Sequence, residues 1–251
     1  MASEIFQEVY PFTTESINGY FNKIDFNDKS VLTVGSSSDQ AFNAILLGAK
    51  NITVYDINKN TSFFGKLKRQ IIIENEDPEK MYQEIISSTK YPYSRDIFDY
   101  NSLTKMNNYM TTKSAYLKLR ELLIENNAKI NYIIGNILDI ATLKDNKYDI
   151  IILSNVLQYI DKFISKEDNP YDSLNKLFLS LKSHLNDDGL IQLLYYYGLS
   201  SINYDYSSHY YSTSSIPRCV EAFDTDSIYL DEFSSCYNSK KKDAVLVYKK
   251  R

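Results

Sequence analysis

The sequence predicts an α/β fold built on a doubly wound, mostly parallel sheet, and three observations carry that expectation. Val31-Leu32-Thr33-Val34 is an apolar run too short for a helix and rich in β-branched residues, as a strand buried on both faces requires. Gly35-Ser36-Ser37-Ser38-Asp39 follows as a small-residue turn that opens an apolar segment closing at Gly48. Asn51-Ile52-Thr53-Val54-Tyr55-Asp56 is then a second strand, ending in a carboxylate. Strand, tight turn, helix and acid-terminated strand is the unit with which doubly wound sheets hold an adenosine.

Within that unit, Gly35 lacks a Cβ, which predicts an unusual φ and the close approach of a ligand. Ser36, Ser37 and Ser38 offer hydroxyls and N–H groups, and Asp39 is the expected cap of a helix carrying Ala41, Ile45 and Leu46. Asp56 stands where two ribose hydroxyls would lie, each charge-assisted hydrogen bond being worth about 1.5–3 kcal/mol. The second and third glycines of a dinucleotide fingerprint are replaced by Ser37 and Asp39. A pyrophosphate needs an open backbone and an uncompensated positive helix end, so Asp39 argues against NAD or FAD. A nucleoside cofactor without phosphate and with a free amino group, such as S-adenosylmethionine, tolerates that carboxylate. A strand, turn and helix without any ligand accounts for the same residues.

Beyond the second strand the sequence predicts a mostly helical stretch over 61–127, too long for a plain crossover and read as a cap inserted between strands 2 and 3. Asp77-Pro78-Glu79 has the order of a helix start, with Met81, Tyr82, Ile85 and Ile86 on its apolar face. A second helix over 112–125 carries Tyr116, Leu119, Leu122 and Leu123, and Tyr93 and Arg95 sit in a loop between the two helices. Strands at 132–137 and 148–156 follow. A helix over 170–185 is expected to stop at Asp187-Asp188-Gly189 before a strand at 190–197, with a final pair at 219–223 and 244–248. The tyrosine-rich segment 198–217 is either a lid beside the site or a surface loop.

Composition narrows the function classes. A chain of 251 residues can bury one sizeable core with an inserted cap, and the formal charge of −4 argues against a broad nucleic-acid surface. Cys219 and Cys236 have no His or Cys at metal-ligand spacing, so neither a disulfide framework nor a zinc site is implied. The start lacks the basic and apolar regions of a secretory signal, and no apolar run reaches the roughly 20 residues of a membrane span. A cytoplasmic location without integral membrane association is the expectation. Among titratable groups, His209 has the pKa range of a general base, whereas His184 is expected to serve a helix end.

The run VLTVGSSSDQAFNAILLGAKNITVYDIN resembles the cofactor-binding opening of class I S-adenosylmethionine-dependent methyltransferases. Its serine-rich turn is most similar to the 3-amino-3-carboxypropyltransferase-like family of betaine-lipid synthesis and its short bacterial relatives. The resemblance implies a Rossmann-like, seven-stranded sheet in one domain spanning 1–251, with the last strand antiparallel. It also implies roles. Gly35, Ser36 and Ser37 would line the turn under methionine and ribose, Asp39 would face the methionine amino group, and Asp56 would hold the ribose with Ile57 against the adenine. Asn136, where the family more often has Asp, would meet the adenine N6, and Ile137 would pack on the ring. Ser154 and Asn155 would stand beside the transferred group, and Tyr159 just beyond them near the acceptor. Methyl transfer to a small-molecule acceptor is the first functional expectation. Aminocarboxypropyl transfer is the second, and a cofactor-binding module without chemistry the third.

Overall fold

The computed structural model describes residues 9–89, 98–126, 128–143, 146–157, 170–199, 227–236 and 240–250. Seven strands form one sheet: β1 (Ser30–Val34), β2 (Asn51–Asp56), β3 (Lys129–Ile134), β4 (Tyr148–Ile152), β5 (Leu185–Leu199), β6 (Ile228–Ser234) and β7 (Lys242–Lys249). Their order is β3-β2-β1-β4-β5-β7-β6. β2 and β3 are parallel, as are β4 and β5, while β7 runs antiparallel to both β5 and β6. This is the doubly wound, mostly parallel sheet expected, with its antiparallel strand in place. The chain divides into two compact units, Met1–Lys29 with Thr33–Ile134, and Ser30–Leu32 with Gly135–Arg251, so that β1 contributes residues to each.

In the first unit a short helix, α1 (Ile17–Phe21), leads in, and α2 (Asp39–Leu46) follows the serine turn. Gly48 ends α2 at φ 103, a conformation open to glycine at no steric cost. Among the described residues four helices lie between β2 and β3: α3 (Lys59–Glu74), α4 (Pro78–Ser88), α5 (Tyr100–Met106) and α6 (Lys113–Ile124). Side-chain caps set their starts, the one at α4 as the sequence suggests. Asp77 accepts from the Glu79 N–H ahead of Pro78, and Thr112 accepts from the Ala115 N–H. Met81 and Ile85 of α4 and Tyr116, Leu119 and Leu123 of α6 are buried.

The insertion is bolted to the first unit from within. α3 packs against β3, and α6 packs against α2. The single turn Asn108–Met110 reaches the middle of α2, where Asn43 donates to the Asn107 side chain at 3.0 Å and accepts the Asn108 N–H at 2.7 Å. Phe12, Tyr20, Phe21, Phe26, Phe42, Phe64 and Tyr109 are all closed to solvent. At about 1.5–3 kcal/mol per large apolar side chain buried, this aromatic core dominates the packing of the unit.

In the second unit α7 (Pro170–Ser183) lays Leu174, Leu177, Phe178 and Leu181, at helical spacing, into the core and packs on the turn Ile137–Thr142. One expectation is corrected here. The helix ends at Ser183, and Asp187-Asp188-Gly189 is a bulge inside β5, where the register jumps from Tyr148 opposite Leu185 to Ile150 opposite Leu190. Asp149 fastens that bulge, accepting from Asn186 at 3.0 Å, and its other oxygen takes the Ser30 N–H at 2.8 Å. Ile228–Ser234 finds a ladder on β7, and the strand expected at 219–223 lies outside the described residues.

Candidate functional site

The turn after β1 differs from the sequence expectation in a specific way. Gly35 does not take a positive φ; Ser36 and Ser38 do, at 41° and 63°. Gly35 is required by crowding instead. A Cβ there would stand 2.4 Å from Thr61 Cγ2 and 2.7 Å from Asp56 Oδ2. The absence of a side chain lets β1, the end of β2 and the first turn of α3 close on one another.

Asp56 is the centre of this contact. One carboxylate oxygen accepts the Ser36 N–H at 2.8 Å, the other the Asn58 N–H at 2.8 Å, and the Thr61 hydroxyl and the Ile57 N–H add two further bonds. Asn58 also caps α3, accepting the Asn60 N–H at 2.9 Å, so the helix start and the carboxylate are fixed together. Burial pushes the Asp56 carboxyl above its usual 3.8, against the pull of these donors. Next to it Ile57 is 53% exposed, and Ile134, opposite Asp56 in the β2–β3 register, is 56% exposed. Carboxylate and apolar side chains thus stand together at the ends of two parallel strands.

Ser37 and Asp39 point into the protein. Asp39 is fully buried and is the first residue of α2 rather than its cap; Ser38 occupies the cap position. The Asp39 carboxylate forms an ion pair with Lys68 at 2.6 Å and accepts the Tyr109 hydroxyl at 2.5 Å, the Thr13 N–H at 2.6 Å and the Ser37 hydroxyl at 3.0 Å. Lys68 also donates to the carbonyls of Pro11 and Ser37 and lies 4.2 Å above the Phe12 ring. Burial lowers its pKa and the Asp39 charge opposes that, while burial and the same charge hold the Tyr109 phenol far above its usual range. These partners explain why the carboxylate does not turn back to cap its own helix. They also mean that a methionine amino group would meet a carboxylate already paired with Lys68.

In the second unit, Asn136 caps the turn Ile137–Thr142 by accepting the Leu138 N–H at 3.1 Å, and Ile137 is buried. Ser154 and Asn155 form a turn directly beyond β4. Ser154 is buried with φ 57, and Asn155 is half-buried. The Gln192 side chain takes both the N–H and the carbonyl of Ser154. His184 stands at the end of α7 with Nδ1 2.7 Å from the Ser180 carbonyl, the structural place expected of it. Tyr159, His209, Tyr93 and Arg95, and most of 198–217, lie outside the described residues.

Four contributors escaped sequence reading. Thr61 had a weak signal, a hydroxyl on the first helical turn after the acid-terminated strand. Gln192 had another, a lone amide inside the apolar run 190–194. Ile134 was read only as strand, and Lys68 had no signal at all, being 29 residues from its partner. Among the described residues no group of His, Cys, Asp and Glu can hold a metal, and no helix is long and apolar enough to cross a membrane.

No family model matches the chain, and no curated protein matches it. Solved structures do. It is similar to TehB from Haemophilus influenzae (TM-score 0.46, 13% identity, covering 100% of this chain and 67% of the other). It is similar to the N-methyltransferase NodS from Bradyrhizobium japonicum, solved with S-adenosyl-L-homocysteine (TM-score 0.42, 10% identity, 88% and 78%). An rRNA methylase from Streptococcus thermophilus is a third (TM-score 0.44, 7% identity, 90% and 89%). The fold itself rests on the strand order and directions, which are those of a Rossmann-like sheet with one antiparallel strand.

Proposed function

We propose that this protein is an S-adenosylmethionine-dependent transferase, and that it moves a methyl group to a small-molecule acceptor. The observation that carries the proposal is the Asp56 carboxylate, oriented by Ser36, Asn58 and Thr61, pressed against Gly35 and flanked by the exposed Ile57 and Ile134. A carboxylate at a strand end is an acceptor suited to vicinal hydroxyls, and exposed isoleucines beside it suit a flat base. Together they fit a nucleoside. Asp39, paired with Lys68, supports the serine turn from beneath rather than meeting the ligand.

When bound, the cofactor supplies a carbon activated by a sulfonium leaving group. The contribution of the chain is orientation, an effect of up to about 7–11 kcal/mol. Gly35 and Ser36 present backbone to the ligand and Asp56 anchors its sugar. Asn136, and Ser154 with Asn155, carry the base-reading and acceptor-side roles that the family resemblance assigns to their positions. Tyr159 and His209 belong to the same proposal as acceptor-side groups.

Calorimetric titration with S-adenosylmethionine and S-adenosylhomocysteine, followed by identification of the nucleoside formed with candidate acceptors, tests this. S-adenosylhomocysteine as product supports methyl transfer. Methylthioadenosine would instead indicate transfer of the aminocarboxypropyl group, and binding without turnover a regulatory module. Asp56→Ala should weaken binding about tenfold or more through the lost charged hydrogen bonds, and Asn155→Ala should lower turnover with little change in melting temperature.

A further inference from the structure

We propose that Gln192 is a positioning residue that holds the turn Ser154-Asn155 in a left-handed conformation; this rests on the assignment of Asn155 to the reacting end of the site. Ser154 sits at φ 57, a region that L-residues with a Cβ rarely adopt and that persists only where the surroundings over-determine it. Gln192 supplies two of the bonds that do so. Gln192 lies opposite Ile152 in the β4–β5 register, and its main-chain carbonyl accepts the Leu153 N–H at 3.0 Å. Its side-chain Oε1 accepts the Ser154 N–H at 2.7 Å, and its Nε2 donates to the Ser154 carbonyl at 3.2 Å.

Two successive peptide groups beyond the end of β4 are therefore fixed from a single position on the neighbouring strand. Gln192 is fully buried between Ile191 and Leu193, in a strand whose interior positions ordinarily carry aliphatic side chains. A buried amide is tolerated when its polar atoms are bonded, and here both bond to the Ser154 backbone alone among the described residues. The clamp shapes the turn that presents Asn155. Mounting that turn on a rigid strand rather than leaving it to loop conformations is what a precisely held site requires.

The test is calorimetric titration of the full chain with S-adenosylhomocysteine, for the wild type, Gln192→Met, Ser154→Gly and the double variant, alongside melting curves and amide exchange at Ser154. Methionine keeps the unbranched length and removes the two side-chain bonds. Gln192→Met should bind about tenfold more weakly, with faster exchange at Ser154. In the Ser154→Gly background the same change should cost little, the double variant binding close to Ser154→Gly alone, because glycine adopts the left-handed region without a clamp. A control, Leu193→Ala, should lower the melting temperature without this pattern. Wild-type affinity in Gln192→Met overturns the proposal and leaves the cofactor assignment standing. So does a loss that tracks melting temperature in the control and is as large in the Ser154→Gly background as in the wild type. No binding by the wild type overturns the cofactor assignment and this proposal with it. Should Gln192→Met fail to fold, Gln192→Glu, which keeps the acceptor for the Ser154 N–H and loses the donor to its carbonyl, carries the same comparison.

Discussion

Replacing Lys68 by Met is the sharpest test of how the serine turn is supported. The substitution keeps the aliphatic stem and deletes the ammonium group, which is 2.6 Å from Asp39 with neither side chain exposed to solvent. Asp39 would keep the Thr13 N–H and the hydroxyls of Ser37 and Tyr109, but its charge would be buried without a counter-ion. The carbonyls of Pro11 and Ser37 would lose a donor as well. Breaking a buried pair from one side costs about 3–5 kcal/mol, a large part of the roughly 5–15 kcal/mol that holds a domain folded. Urea unfolding should therefore show Lys68→Met lowered by that amount at an unchanged m-value. Adding Asp39→Asn should restore much of it, because the uncompensated charge is then gone. A single variant within about 1 kcal/mol of the wild type, or a double variant no more stable than the single, would refute the role given to the pair.

Three further outcomes are expected. Gly35→Ala pushes a methyl into Thr61 Cγ2 and Asp56 Oδ2 and should weaken S-adenosylhomocysteine binding about tenfold or more, with partial recovery when Thr61→Ser removes the opposing methyl; titration of the single and double variants checks it. Because burial raises Asp56 above 3.8 in the folded chain, that affinity should fall as pH descends through the raised value, starting above 3.8, and a flat profile down to pH 3.8 would count against the sugar contact. Without ligand the folded state holds more protons than the unfolded one between those two pKa values, so the contribution of Asp56 to stability should decline as pH rises through that window. Asp77→Ala removes the side-chain bond to the Glu79 N–H and should cost about 1 kcal/mol, or roughly 2–4 °C in melting temperature, by circular dichroism.

What the sequence made legible was local. The strand 31–34, the acid at the end of β2 and the proline-led start of α4 each depend on a few neighbouring residues, and each is where those residues place it. What escaped was set by distance or by competition. The partnership of Asp39 and Lys68 joins residues on α2 and α3 and leaves no periodic trace. Ser36 and Ser38 take the left-handed conformations that glycine was expected to supply, because the contact with Thr61 and Asp56 fixes Gly35 instead. Asp187-Asp188-Gly189 reads as a helix stop from composition alone, yet the register of β5 against β4 absorbs it as a bulge. Gln192 stands in an otherwise apolar strand because its side chain bonds the Ser154 backbone, a partner 38 residues away.

The position of β7 has a bearing on how the molecule is assembled. It is made after β6 yet lies between β6 and β5, so a nascent chain that stops at β6 has no ladder on which to hang that hairpin partner and leaves the flank of β5 open. Unpaired flanks of this kind invite pairing with other molecules. Chaperone dependence during synthesis, or aggregation of products cut before Lys242, would be the cellular trace of a sheet whose closing piece arrives last and is inserted rather than appended.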